Sequence, residues 1–182
     1  MLYAFAFDRV GVVVGDLYFR DPNPGEGQEG AERGVRLEVR IFERPALQGS
    51  IYAAQPIEVA RPIWRADLLE TVDGPYGSFD RTHHHPQFRG WEPGRRRFEE
   101  DLSADPVESV GKRLSDLDTL LAGAEIDPGE VARSDADDLR AAVPEILETL
   151  RRLLARVHAG ELATAPPGAD SPDAAFARAG WL

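Results

Sequence analysis

In the stretch Val35-Arg36-Leu37-Glu38-Val39-Arg40-Ile41, four aliphatic residues alternate with three charged ones. A period of two is typical of a β-strand, because successive side chains of an extended chain point to opposite faces. We therefore expect the aliphatic face of this strand to lie on a hydrophobic core and the charged face to point to water. The predicted strand covers residues 35–44.

Further strands are predicted on both sides of this segment. Runs rich in Val, Ile, Tyr, Phe and Leu occur at residues 2–7, 10–19, 51–60 and 63–72, and such residues favour strands. Pro56 interrupts the third run, which indicates an edge strand or a bulge there. Residues 21–34 hold prolines and glycines but few apolar side chains, so they predict an exposed loop. The first 80 residues thus predict about four to six antiparallel strands.

After residue 100 the hydrophobic period changes from that of a strand to that of a helix. The run Asp105-Pro106-Val107-Glu108 combines an acidic N-cap, a proline at the first helical position and a glutamate that can close a capping box. A single apolar stripe with spacings of three and four follows over residues 107–121. A later helix is predicted from a cap at Ser134, with a break, a kink or a fresh start at Pro144.

This order of elements predicts an α+β fold, in which an antiparallel β-sheet from the N-terminal half is covered by helices from the C-terminal half. We expect residues 1–162 to form a single α+β domain. Its parts are a strand-rich segment at 1–80, a His/Arg-rich connection at 80–98 and a helical segment at 105–160. Residues 163–182 are rich in Pro and Ala and predict a C-terminal tail.

Composition narrows the class of protein. The chain has 182 residues and a net charge of -11, so a nucleic acid could approach only through a local basic patch. It has no Cys, which excludes disulfides and thiolate metal sites. No apolar run approaches the ~20 residues that a membrane span needs, and Asp8 and Arg9 interrupt the apolar start. We therefore expect a cytoplasmic protein with no membrane partner.

Three of the four histidines are consecutive, at His83, His84 and His85. In an extended chain His83 and His85 project to one face and His84 to the other. Two imidazoles on one face are a starting point for a metal site, so His83 and His85 are candidate ligands and a divalent metal such as zinc is the candidate cofactor. The sequence leaves the third ligand open among Asp67, Asp80, Glu92 and His84.

The same stretch also fits acid–base chemistry without a metal, because imidazole transfers protons near neutral pH. The candidate catalytic residues are His83, His85, Asp67 and Asp80. The candidate ligand-binding residues, which would hold a phosphate by forked hydrogen bonds or stack on a base, are Arg65, Arg81, Arg89 and Trp91. A purely structural role, with packed histidines and arginines paired to neighbouring acids, is the third alternative.

Four short features follow one another between residues 49 and 121: Gly49-Ser50-Ile51-Tyr52, Ile63-Trp64-Arg65-Ala66-Asp67, His83-His84-His85-Pro86 and a helix from Pro106. Their order resembles the TumE-type toxins of bacterial toxin–antitoxin pairs, which are similar in having an Arg-X-Asp-like step on a strand, a His-rich segment and a closing helix. This chain is longer and more acidic than they are, and it has an additional helical region. The resemblance implies a toxin-like enzyme.

The function predicted from the sequence is that of a small bacterial cytoplasmic protein, a toxin-like enzyme that acts on a phosphodiester or nucleotide through a His/Arg site. The alternative is a non-enzymatic interaction or immunity-type protein that binds a basic partner through an acidic helical face. Acidic residues far outnumber basic ones between residues 101 and 150. The face is predicted to centre on Asp116, Asp118, Asp135, Asp137 and Asp138.

Overall fold

The computed structural model describes residues 1–167 and 178–180. Five antiparallel strands form a meander in chain order: β1 (Leu2–Ala6), β2 (Val10–Arg20), β3 (Ala31–Glu43), β4 (Glu58–Thr71) and β5 (His83–His85). A separate small hairpin pairs β6 (Phe88–Arg89) with β7 (Glu92–Pro93). A last strand, β8 (Arg178–Gly180), pairs with β2 beyond the part that β1 covers.

Helices in the C-terminal half cover one face of the sheet. They are α1 (Glu100–Ala104), α2 (Pro106–Leu114), α3 (Leu117–Gly123) and α4 (Asp135–His158), with a 3₁₀ turn at Pro128–Glu130 between the last two. Leu37 on β3 and Ile146 on α4 are fully buried and belong to the same cluster of buried apolar residues. The predicted α+β fold, an N-terminal antiparallel sheet under C-terminal helices, is therefore confirmed.

The alternation on β3 correctly predicts the core face of the sheet. Val35, Leu37 and Val39 are fully buried, and burying each such side chain contributes about 1.5–3 kcal/mol. The expectation for the opposite face is wrong, because the charged residues of β3 do not point to open water. Glu38 is only 3% exposed, and the guanidinium-bearing side chain of Arg36 is 11% exposed.

The chain between β3 and β4 corrects the predicted strand at residues 51–60. Residues 44–57 form a connection without strand pairing, and β4 then runs as one strand of 14 residues through Pro62. The register with β3 shifts around Arg40, which lies opposite Pro62. Proline has no N–H to donate to the ladder, so the sheet accommodates it at an irregularity of this kind.

The predicted helix start at Asp105 is confirmed, since its side chain accepts a hydrogen bond of 3.1 Å from the backbone N–H of Glu108. The single stripe predicted for residues 107–121 is divided between two helices. α2 ends at Leu114, and Asp116 caps α3 by accepting from the backbone N–H of Thr119. Both helices still bury their part of the stripe, because the break falls between two apolar positions.

A break at Pro144 is not observed, because α4 continues through it as one helix of 24 residues. Proline removes one helical hydrogen bond and crowds the carbonyl four residues earlier, which here belongs to Arg140. Pro144 and Arg140 are both exposed, so water can satisfy the released carbonyl group. Packing of the apolar face of α4 on the sheet outweighs the local preference of proline.

We expect Pro144→Ala to raise the free energy of unfolding by about 1–3 kcal/mol, because alanine restores the missing hydrogen bond and relieves the crowding. Urea unfolding followed by circular dichroism measures this change. Glu145→Ala, at the neighbouring exposed position, is the control and should change stability by less than about 0.5 kcal/mol. A decrease in stability for Pro144→Ala would contradict the prediction.

No helix in the described part of the chain combines the length and the apolar character that crossing a bilayer requires.

Candidate functional site

The second face of the sheet carries the candidate site. In one row across the strands Arg36 pairs with Asp67, and Asp67 pairs with His83. In the next row Glu38 pairs with Arg65, which pairs with His85. Residues two apart on a strand share a face, so these six charged or titratable side chains form one polar surface.

Ion pairs connect the charged members of this surface. Arg36 binds both carboxylate oxygens of Asp67, at 2.6 and 3.1 Å. Arg65 lies 3.2 Å from Asp67 and 3.8 Å from Glu38. Arg40 also binds Glu38. Each guanidinium thus lies against a carboxylate, as buried charges require.

Asp67 lies at the centre of this network, with a side chain only 2% exposed. Burial by itself raises the pKa of its carboxyl group, but the charges of Arg36 and Arg65, together with the neighbouring His83 and His85, outweigh burial. The pKa of Asp67 is consequently held well below its usual value, and the group is a carboxylate at neutral pH.

The β6–β7 hairpin and the segment after it turn the polar surface into a cavity of about 530 Å³. Gly90 makes the hairpin turn with φ of 60°, a left-handed conformation that glycine adopts without strain. Trp91 lines the rim and is 60% exposed, and the guanidinium carbon of Arg40 lies 5.2 Å from its ring centre. Arg96 reaches in from the following segment and binds Glu32 and Asp21 at 3.2 and 3.3 Å.

Asp67, His83 and His85 converge in this cavity. The Nε2 atoms of His83 and His85 lie 3.4 and 3.7 Å from Oδ2 of Asp67. One potential ligand atom from each residue lies within 4.8 Å of the other two. The histidines are 1% and 4% exposed, and their ring centres are 5.0 Å apart.

Backbone carbonyls fix the orientation of both imidazole rings. Nδ1 of His83 lies 2.8 Å from the carbonyl oxygen of Arg81, and Nδ1 of His85 lies 2.7 Å from that of Gly94. A carbonyl oxygen can only accept, so each Nδ1 carries a proton and donates it. In the neutral imidazole the Nε2 atom then presents a lone pair toward Asp67.

His85 keeps this neutral form at neutral pH. Burial lowers the pKa of its imidazole, although the charge of the Asp67 carboxylate acts in the opposite direction. Its buried Nε2 atom has no hydrogen-bond partner among the described residues. A buried nitrogen lone pair that faces a carboxylate oxygen is unfavourable unless a proton or a cation lies between them.

His84 points to the opposite side of β5, as the alternation predicts. Its Nδ1 atom accepts a hydrogen bond of 3.0 Å from the indole N–H of Trp64, and its Nε2 atom lies 2.8 Å from Oε1 of Glu99. Burial lowers the pKa of His84 despite that carboxylate. The indole requires an acceptor at Nδ1, so His84 donates from Nε2 and joins β5 to the segment before α1.

Of the residues that the sequence predicts for catalysis and ligand binding, the structure brings five together at the cavity: His83, His85, Asp67, Arg65 and Trp91. Asp80 lies elsewhere and accepts hydrogen bonds from the backbone and hydroxyl groups of Thr71 and from Ser78. Burial raises the pKa of Asp80, but these hydrogen bonds outweigh it and lower the pKa overall. Asp80 therefore stabilises its own loop and does not orient a histidine.

The predicted phosphate ligands Arg81 and Arg89 also lie outside the cavity. Arg81 is buried and donates to the carbonyl oxygens of Gly27 and Glu29, at 2.5 and 3.2 Å, so it holds the connection between β2 and β3. Arg89 is exposed and lines a larger neighbouring cleft of about 1040 Å³, which contains no histidine. Glu92, considered as a third metal ligand, lines the cavity but is exposed.

Sequence reasoning missed the contribution of β3 to the site. Arg36, Glu38 and Arg40 occupy the strand face that was expected in water. The signal that identifies them is a pairing of two patterns, Arg-X-Glu-X-Arg on β3 and Arg-X-Asp on β4. Opposite charges on neighbouring strands stabilise each other when the register aligns them. The two pairs lie in the regular part of the β3–β4 ladder, before the shifts at Arg40, and this register is not visible in either segment alone.

Comparison of the chain with models of protein families, with curated proteins and with solved structures finds no match.

Proposed function

We propose that the protein is an enzyme that acts on a phosphodiester or a nucleotide in the cavity of the polar sheet face. The observation that carries the proposal is the convergence of two oriented, buried histidines and a buried carboxylate with several partly buried arginines. Apolar residues of similar volume would stabilise such a face as well or better, because desolvating charges is costly. A buried charged group in a cavity is therefore a sign of function.

The arginines around the cavity suit an anionic ligand. Arg65 and Arg96 both line it, and guanidinium groups bind phosphate oxygens through two parallel hydrogen bonds. Each already has a carboxylate partner, so a phosphate would share or displace that partner. The exposed ring of Trp91 offers a stacking surface at the rim for the base of a nucleotide.

His83 and His85 supply the proton transfer that phosphodiester hydrolysis needs. In that reaction the oxygen of water forms a bond to phosphorus, and the bond from phosphorus to the leaving oxygen breaks. The water loses a proton to an Nε2 atom, and the leaving oxygen takes a proton back. Asp67 stabilises a charged imidazole during this exchange, in the manner of a carboxylate that supports a catalytic histidine.

Hydrolysis of bis(4-nitrophenyl) phosphate and of a labelled single-stranded RNA oligonucleotide tests the proposal. We expect His83→Ala and His85→Ala each to lower kcat by about 100-fold or more, because positioned acid–base groups contribute factors of that size. His158→Ala is the matched control, since His158 lies on α4 against Tyr76 and Phe79 and outside the cavity. Equal activity of the two cavity variants and the wild type would contradict the proposal.

The alternative function is binding of a basic protein through the acidic helical face. Asp116, Asp118, Asp137 and Asp138 are exposed, which favours such a surface. Asp135 is fully buried, so its assignment to the exposed acidic face was wrong. If Asp137→Lys with Asp138→Lys abolishes biological activity while the cavity histidine variants retain it, the interaction function is the better one. The toxin-like role, the bacterial origin and the cytoplasmic location stay predictions.

A further inference from the structure

We infer that Asp67, His83 and His85 form a binding site for one divalent transition metal, with zinc preferred. The inference rests on the proposed function for its cavity and assigns a cofactor to it. A bound ion would occupy both Nε2 lone pairs, so a metal-bound water would take the place of the acid–base role of His83 and His85, and the binding itself requires no substrate. Two imidazole nitrogens and one carboxylate oxygen are a ligand set that occurs in catalytic zinc sites.

The distances from the two imidazole nitrogens to the carboxylate oxygen agree with a single bound ion. Zinc bonds of ~2.1 Å at tetrahedral angles place neighbouring ligand atoms roughly 3.4 Å apart, whereas octahedral angles place them roughly 3.0 Å apart. The two measured distances from Nε2 to Oδ2 of Asp67 are 3.4 and 3.7 Å. They exceed the ~2.7–2.9 Å of a charged N–H···O bond, so the atoms are separated by the space that an ion of this size needs.

The surroundings of the two histidines are those of metal ligands. Each Nδ1–H donates to a backbone carbonyl, which is the outer contact that fixes the tautomer and the ring direction of a ligating imidazole. Both Nε2 atoms are left to face the same carboxylate oxygen. For His85 this nitrogen is buried without a hydrogen-bond partner among the described residues. An ion at this point accepts both lone pairs and the carboxylate charge together.

The arginines around Asp67 are compatible with this ion. Arg36 holds Oδ1 of Asp67 at 2.6 Å and Oδ2 at 3.1 Å, and Arg65 lies 3.2 Å from Oδ2. These contacts orient the carboxylate and keep it ionised, as a metal ligand must be, and the ion would share Oδ2 with the two guanidinium groups. Five arginines around the cavity are matched in formal charge by five acidic residues, the arginines being Arg36, Arg40, Arg65, Arg95 and Arg96 and the acids Asp21, Glu32, Glu38, Asp67 and Glu92. A dication therefore gives the site a net positive charge, and this favours an anionic substrate at the open fourth position.

Titration of metal-free protein with Zn²⁺ by calorimetry, and with Co²⁺ by visible absorption, tests the inference. We expect one ion per chain and the intense absorption of four-coordinate Co²⁺. His83→Gln and His85→Gln should each weaken Zn²⁺ binding by about 100-fold or more, since loss of an outer contact alone costs 10–100-fold. His158→Gln, a histidine outside the cavity, should bind as the wild type does.

Thermal unfolding gives a second measurement that does not depend on absorption or on activity. Saturating Zn²⁺ should raise the Tm of the wild type and of His158→Gln, and it should leave the Tm of His85→Gln unchanged. Absence of binding at millimolar Co²⁺ and Zn²⁺ would overturn the inference. So would binding by His83→Gln and His85→Gln with the affinity of the wild type. Metal binding without hydrolysis of the phosphodiester substrates supports the inference and rejects the proposed reaction. Hydrolysis that survives complete metal removal supports the acid–base reaction and shows that the ion is not its cofactor.

Discussion

Asp67→Ala is expected to lower the free energy of unfolding by about 3–5 kcal/mol, the cost of leaving a buried charge without its partner. Arg36, with a side chain 11% exposed, loses both of its hydrogen bonds to the carboxylate. A guanidinium keeps its proton in proteins, so Arg36 cannot escape the cost by becoming neutral. Urea unfolding in metal-free buffer measures the change.

The matched control replaces both members of the pair, as Asp67→Leu with Arg36→Met. Two apolar side chains of similar volume remove the unpaired charge, so this double variant should be about as stable as the wild type or more stable. It should nevertheless have no hydrolytic activity. A double variant that is as unstable as Asp67→Ala would show that the ion pair is a structural requirement of the sheet, and it would remove the main support for a functional cavity.

Asp135→Ala is expected to destabilise the protein by a similar amount, about 3–5 kcal/mol, for a reason unrelated to the cavity. The fully buried carboxylate of Asp135 accepts hydrogen bonds from the backbone N–H groups of Asp8, Arg9 and Ala132, at 3.0, 3.1 and 2.8 Å. It thereby fastens the turn between β1 and β2 to the start of α4. Its loss leaves donors unpaired, each at about 1–3 kcal/mol when they are buried.

Asp137→Ala is the control for this prediction, because Asp137 lies on the same turn of α4 with a side chain 83% exposed. It should change stability by less than about 0.5 kcal/mol. Asp135→Asn should fall between the two, since its one carbonyl oxygen can still accept but carries no charge. Equal stability of Asp135→Ala and Asp137→Ala in urea unfolding would contradict the assigned role of Asp135.

Local patterns in the sequence were sufficient for the elements whose environment is simple. The alternation at Val35, Leu37 and Val39 predicted which face of β3 is buried on the helices, and Asp105 with Pro106 predicted the start of α2. These predictions succeed because hydrophobic period and capping depend on residues within one or two turns of the chain. The predicted break or fresh start at Pro144 and the strand over residues 51–60 were wrong, because packing and register outweighed local preference.

The sequence by itself determined the two layers of the fold and the projection of His83 and His85 to one side of their strand. Only the tertiary structure decided that Asp67, and not Asp80, is their acidic partner. It also decided that the charged side of β3 is covered by the β6–β7 hairpin and lies away from open water. The physical reason is that strand register and burial arise from contacts between residues far apart in the chain. The sequence does not distinguish a charged residue that faces water from one that faces an ion-pair partner. The energetic role of the residue nevertheless differs completely between the two environments.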